Sequence, residues 1–186
     1  MQHEVPTLIV IDMQKCMANP AAGARNNPQA EKNIAALLKA WRQAGAVVVH
    51  LRHISRHAAS MFAPGQRGAE FQDALMPLPG EHIVEKNVPD GFVNSGLERW
   101  LRMRGVTRLL IAGVSTNNSV EASARSAGNL GFDTEVLSDA TFAFARTDYA
   151  GVSRTAEEVH AMSLANLNGE YATITTTARA LGRFVK

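Results

Sequence analysis

Cys16 is the single cysteine in 186 residues. One thiol cannot close an internal disulfide, and no further ligands stand at zinc-binding spacing around it, so neither a disulfide framework nor a structural zinc site is expected. Charge of one sign is lacking too. Nineteen Lys and Arg against 17 Asp and Glu leave a formal charge of +2, with the basic residues scattered, which argues against a nucleic-acid surface or a polybasic membrane patch. Apolar runs stop at strand length, short of the ~20 residues a membrane helix needs. The opening MQHEVPTLIV has no basic segment leading into a cleavable apolar one, so a cytoplasmic protein without membrane or nucleic-acid partners is expected. Repeats and low-complexity tracts are absent, and neither G-x-G-x-x-G nor the Walker pattern follows any strand. No cofactor is expected.

What is present is an ordinary globular composition, 46% hydrophobic and 19% charged, in a chain long enough for one domain, read here as residues 1–186. Short apolar runs alternate with helical spacing. TLIVID (7–12), AVVVHL (46–51), HIVEKN (82–87), TRLLIAGV (107–114), DTEVLS (133–138) and YATIT (171–175) read as strands. Residues 28–43, 97–103, 117–130 and 153–167 read as helices, the third closed by Gly131. Six strands separated by helices predict an α/β fold: a mainly parallel sheet covered on both faces, a three-layer sandwich. Residues 53–80, rich in Pro, Gly and polar residues, predict a long, partly helical loop.

In open parallel sheets ligands bind beyond the carboxyl ends of the strands. The first strand delivers Asp12 there, the third Lys86, and the fourth runs through Gly113 to Ser119 at the mouth of the next helix. Each alone has a plain structural reading, as a cap, a solvated amine or a turn residue. Together they place an acid, an amine and a hydroxyl at one edge.

IVIDMQ, then VEKN followed by Phe92, then AGVSTNNSVEASAR resemble the isochorismatase-like cysteine hydrolases, a superfamily that includes nicotinamidases, N-carbamoylsarcosine amidase, biuret hydrolases and isochorismatase. GFDTEVLSDA and AEEVHAMSLANLNGEYA extend the resemblance over nearly the whole chain. It implies a six-stranded α/β sandwich and an Asp-Lys-Cys triad, with Asp12 as the acid and Lys86 as the lysine. The family's cysteine stands three residues after the Thr of G-V-x-T-x-x-C, and that position here is Ser119.

For a cysteine at 119 the resemblance implies that Asp12 takes the thiol proton, sulfur attacks a carbonyl carbon, and Asp12 returns the proton to the departing nitrogen. The backbone N–H groups of Ser115 and residue 119 would form the oxyanion hole, the former presented by a cis peptide at Val114–Ser115. A serine hydroxyl is a far weaker acid than a thiol of pKa ~8.5, and a carboxylate is a poor base for an alcohol. A rate at least ~10²-fold below that of a cysteine form follows. Three readings of Ser119 stand side by side: a replacement that traps substrate, a vinyl-ether hydrolase of the isochorismatase branch that needs no thiol, or a serine enzyme or non-catalytic binding protein.

Gln14, His53, Phe62, Phe92, Asn117 and Asn118 are expected around the pocket, by strand-end position or by family position, to hold a small amide or ureide. No metal is expected. His50, His53 and His57 cluster in HLRHISRH, but His50 and Arg52 alternate with Leu51 and His53 along a strand, and Leu51 stands where the Asp of a nicotinamidase metal site would be. Cys16 reads as an inert, partly buried thiol. Ser115 is not read as a G-x-S-x-G nucleophile, because Asn117 replaces the second Gly. Family members form dimers or tetramers, so the resemblance also implies a homodimer or homotetramer.

Overall fold

The computed structural model describes residues 5–184. One six-stranded sheet organises them: β1 (Thr7–Ile11), β2 (Val48–His53), β3 (His82–Lys86), β4 (Arg108–Val114), β5 (Asp133–Phe142) and, after the short hairpin β6 (Arg146–Thr147) and β7 (Ser153–Arg154), β8 (Thr173–Thr175). The order is β3-β2-β1-β4-β5-β8, and all five pairings are parallel. From β1 the chain builds outward through β2 and β3, then returns to lay β4, β5 and β8 on the other side. The reversal falls between β1 and β4, and such a switch point opens a crevice at the strands' carboxyl ends.

Alternation along the central strands explains the two apolar layers. Leu8 and Val10 face one core with Leu110, Ala112 and Val114, covered by α1 (Ala30–Gln43) and α5 (Thr177–Leu181). Ile9 and Ile11 face the other with Leu109 and Ile111, covered by α2 (Leu97–Met103), α3 (Glu121–Asn129) and α4 (Ala156–Leu167). In α1, Ile34, Leu37, Leu38 and Trp41 repeat at helical spacing and are fully or almost fully buried. Trp41 Nε1 donates to the Pro6 carbonyl at 2.8 Å, so the buried indole keeps a partner.

Several elements differ from the sequence expectation. The helix expected from 153 begins at Ala156, where the Thr155–Glu158 capping box satisfies its first turn, and residues 153–154 belong to the hairpin. The helix expected over 117–130 opens instead as a wide π-turn, Thr116–Val120, before α3. β5 continues to Phe142, with its pairing to β4 shifted between Ile111 and Gly113. A Cβ on Gly113 would lie 2.1 Å from the Ile11 carbonyl oxygen. That contact requires glycine where β1 and β4 converge. The next peptide but one, Val114–Ser115, is cis.

Candidate active site

Each of the three groups is set by the end of its strand. Asp12 follows β1 in a left-handed conformation (φ 52°), Lys86 closes β3, and Ser119 sits in the π-turn after β4. They meet. Lys86 Nζ donates to Asp12 Oδ2 at 2.7 Å, to Ser119 Oγ at 3.2 Å and to the Val88 carbonyl at 3.3 Å. An ammonium has three protons, and three acceptors are in place. The Lys86 side chain is completely buried and Asp12 nearly so.

The electrostatics are unusual for a salt bridge. Burial pushes the Asp12 carboxyl above its ordinary value, although the Lys86 charge and hydrogen bond, and the nearby Ser119 hydroxyl, pull the other way. Asp12 Oδ1 is buried without a hydrogen-bond partner. A carboxylate so placed is a proton acceptor with one oxygen still unsatisfied. Burial and the Lys86 charge hold the half-buried His53 below the usual imidazole range, against the pull of Asp12.

These groups border a cavity of about 180 Å³, with Met17, His53, Phe62, Pro89, Val114, Ser115 and Asn118 beside Asp12 and Ser119. That is smaller than the ~300–1,000 Å³ typical of drug-sized ligands. His53 and Phe62 meet edge to face, their centroids 5.3 Å apart.

Three expected contacts are corrected. Gln14 is wholly buried, and its carboxamide is fully engaged: Nε2 donates to His53 and Ala69 carbonyls, each at 2.9 Å, and Oε1 accepts from the His53 N–H at 2.8 Å. It fastens the end of β2 and offers a ligand nothing. Phe92 packs into the core beside Phe132, centroids 5.9 Å apart, and is outside the cavity wall. Asn117 opens onto a separate groove of about 930 Å³ along α4 and the hairpin. The three clustered histidines also diverge: His50 is buried against Glu81, His53 borders the cavity and His57 is exposed.

Met17 and Pro89 were not singled out from sequence. Pro89 stands three residues after Lys86, a spacing that could have marked it; Met17 lies in a 3₁₀ turn with no periodic signal. The tethers of the π-turn also went unread. His160 Nε2 lies 3.0 Å from the Ser138 carbonyl, which only accepts, so that nitrogen carries the proton. His160 Nδ1 therefore accepts from Thr116 Oγ1 at 2.8 Å. Ser163 Oγ lies 2.9 Å from the Thr116 carbonyl and 2.7 Å from Glu121 Oε2, its one proton shared between two acceptors. Helix α4 thus fixes the turn that carries Ser119.

A parallel sheet whose switch point gathers a buried acid, an amine and a hydroxyl beside a small cavity defines an α/β protein with a polar cluster at its strand ends. The chain belongs to the isochorismatase family of hydrolases: the isochorismatase domain matches residues 6–179. It is 37% identical to the isochorismatase family protein YrdC of Bacillus subtilis, over 99% of this chain and 98% of that protein. A crystal structure of an isochorismatase-family protein from Chromobacterium violaceum superposes with a TM-score of 0.95 at 46% identity, covering 98% of this chain and 95% of the other. Streptothricin hydrolase of Streptomyces noursei is 36% identical over 68% of this chain and 46% of its own length. Ureidoacrylate amidohydrolase RutB of Caulobacter segnis is 35% identical over 67% of this chain and 48% of its own. The chain thus spans about half of each of these last two enzymes.

Proposed function

We propose that the chain is a hydrolase of small amide, carbamoyl or ureido C–N bonds, built for an Asp-Lys-Cys triad and running with an impaired nucleophile, Ser119. The observation that carries this reading is the Asp12 carboxylate: Lys86 holds Oδ2 while Oδ1 stays buried and unpartnered beside the residue-119 side chain. The amide- and ureide-cleaving relatives support the substrate class.

The reaction runs in two halves. Asp12 takes the proton of the residue-119 nucleophile while Lys86, donating to the same atom, stabilises the developing anion. The nucleophile attacks the carbonyl carbon, and the N–H groups of Ser115 and residue 119 receive the oxyanion. Protonated Asp12 hands its proton to the leaving nitrogen, the C–N bond breaks, and ammonia or an amine departs. Water then attacks the acyl-enzyme, Asp12 again takes a proton and returns it to residue 119, and the acid leaves. A carbamoyl substrate gives carbamate, which decomposes to carbon dioxide and ammonia.

Ser119→Cys is the test, with ammonia release measured on nicotinamide, carbamoyl amino acids and biuret. We expect a gain of at least ~10²-fold over the serine form. Equal inactivity of both forms on every substrate would instead favour a binding protein, and isochorismate turnover by the serine form a vinyl-ether hydrolase.

The proposal includes association as a homodimer or homotetramer. Helix α4 buries polar His160 and Ser163 along with Ala156 and Leu167, and leaves Met162 exposed on the groove that Tyr149 also lines. Charges of both signs rim this groove, with Arg154 paired to Asp148 and Glu121 to Arg125, each at 2.8 Å, so a two-fold partner would meet an apolar patch bordered by ion pairs. Met162→Asp is expected to shift sedimentation toward the monomer.

A further inference from the structure

Every hydrolysable amide has a reacting end and a tail, and the cavity wall states what tail it can hold. Apart from the reacting groups, the wall consists of Met17, Phe62, Pro89 and Val114, with His53, Ser115 and Asn118 as its polar members. Among the described residues no arginine lines it, and the nearby Lys86 ammonium has its protons committed to Asp12, Ser119 and the Val88 carbonyl. The only anion on the wall, Asp12, is paired with that same lysine.

We propose that the site selects amides or ureides with an uncharged tail and rejects those carrying a carboxylate or an ammonium there, with His53 and Asn118 as the specificity-determining groups. This rests on the hydrolase reading above for which end of the ligand reacts. A charged tail entering the cavity leaves water without gaining a counter-ion, and an unpaired buried charge is among the costliest groups a protein can hold. A neutral carboxamide or ureido tail loses little, because a carboxamide and an imidazole can exchange hydrogen bonds with it while Phe62 and Met17 cover its faces. Burial and the Lys86 charge favour neutral His53, consistent with an imidazole that serves as a hydrogen-bonding group here.

The experiment uses the serine chain as it stands, whose turnover is expected at least ~10²-fold below that of a cysteine form, so that binding is read with the least hydrolysis. Binding of N-carbamoylglycinamide, N-carbamoylglycine and N-carbamoylethylenediamine is measured by calorimetry at pH 8; the three share a ureido head and differ in the charge of a tail of similar length. N-carbamoylglycinamide is expected to bind at least ~10-fold more tightly than either charged probe, the lower end of what leaving one buried polar group unpaired costs. Phe62→Arg, which supplies the missing cation, should reverse the preference toward N-carbamoylglycine. Equal or tighter binding of N-carbamoylglycine by the unaltered chain, or no binding of the neutral probe, overturns the proposal. Ser119→Cys separates the two readings. Turnover of charged and uncharged tails at similar kcat/KM sinks the selectivity and leaves the hydrolase, whereas neutral binding without any turnover sinks the hydrolase and leaves the selectivity.

Discussion

Asp12, which is buried, and Glu81, which is partly buried, each face a cation, and they are built for opposite ends. Asp12 has one oxygen on Lys86 and one on nothing, and burial raises its pKa. Glu81, between β2 and the loop before β3, has both oxygens engaged: Arg42 donates to them at 2.7 and 2.9 Å, the Leu78 N–H at 2.8 Å, and His50 Nε2 lies 2.9 Å away. Burial alone would raise Glu81 as well, but those donors bring it down to about 2. A satisfied carboxylate holds structure together; a more deeply buried one with an oxygen left unsatisfied keeps an affinity for protons that chemistry can use.

The comparison breaks most visibly if Asp12 can be replaced without loss. In the Ser119→Cys background, Asp12→Asn keeps the shape and removes the base, and kcat/KM should fall by at least ~10³-fold. Lys86→Met should produce a similar loss, read by the same ammonia assay. Glu81→Gln is the counterpart. It should leave kcat/KM within about two-fold, yet cost on the order of 1–3 kcal/mol in urea unfolding, because Arg42 and His50 lose a charged acceptor. Arg42 keeps a quarter of its side chain in solvent, which tempers that loss. A large activity defect in Glu81→Gln would erase the distinction.

The layout of the sheet was readable because β1 and β4 are nearly unbroken apolar runs, and the acid after β1, the lysine closing β3 and the serine after β4 could be brought to one edge by the rule for parallel strands. The partners of those residues were not so readable. Gln14 lies two positions from Asp12 and was expected beside a ligand, but the left-handed turn at Asp12 sends its carboxamide back under β2. Asn117 and Asn118 are adjacent, yet successive residues of a helical turn point in different directions; one faces the α4 groove and the other the cavity. The hairpin strands β6 and β7 are two residues each and α5 only five, too short for periodicity to register. Glu81 illustrates the same limit: its donors come from α1, β2 and its own loop, contacts that exist only once the sheet is formed.

The smallest effect expected, and the finest test of the two carboxylates, is the sign of their pH dependence. Glu81 has a folded pKa near 2 against an ordinary 4.5, so its contribution to stability is complete above 4.5 and disappears as pH falls toward 2. The stability gap between the natural chain and Glu81→Gln should therefore be full at pH 6 and close steadily on acidification. Asp12 runs the other way. Its folded pKa is raised above the ordinary 3.8, so what its protonation contributes is present below 3.8 and is lost as pH rises through the folded value. Relative to Asp12→Asn, the natural chain should lose stability with increasing pH over that window, in urea titrations at fixed ionic strength. Parallel slopes for the two variants would mean that the Asp12–Lys86 pair, like Glu81 with Arg42, simply stabilises the folded charge state, and Asp12 would then be no better placed than Glu81 to accept a nucleophile's proton.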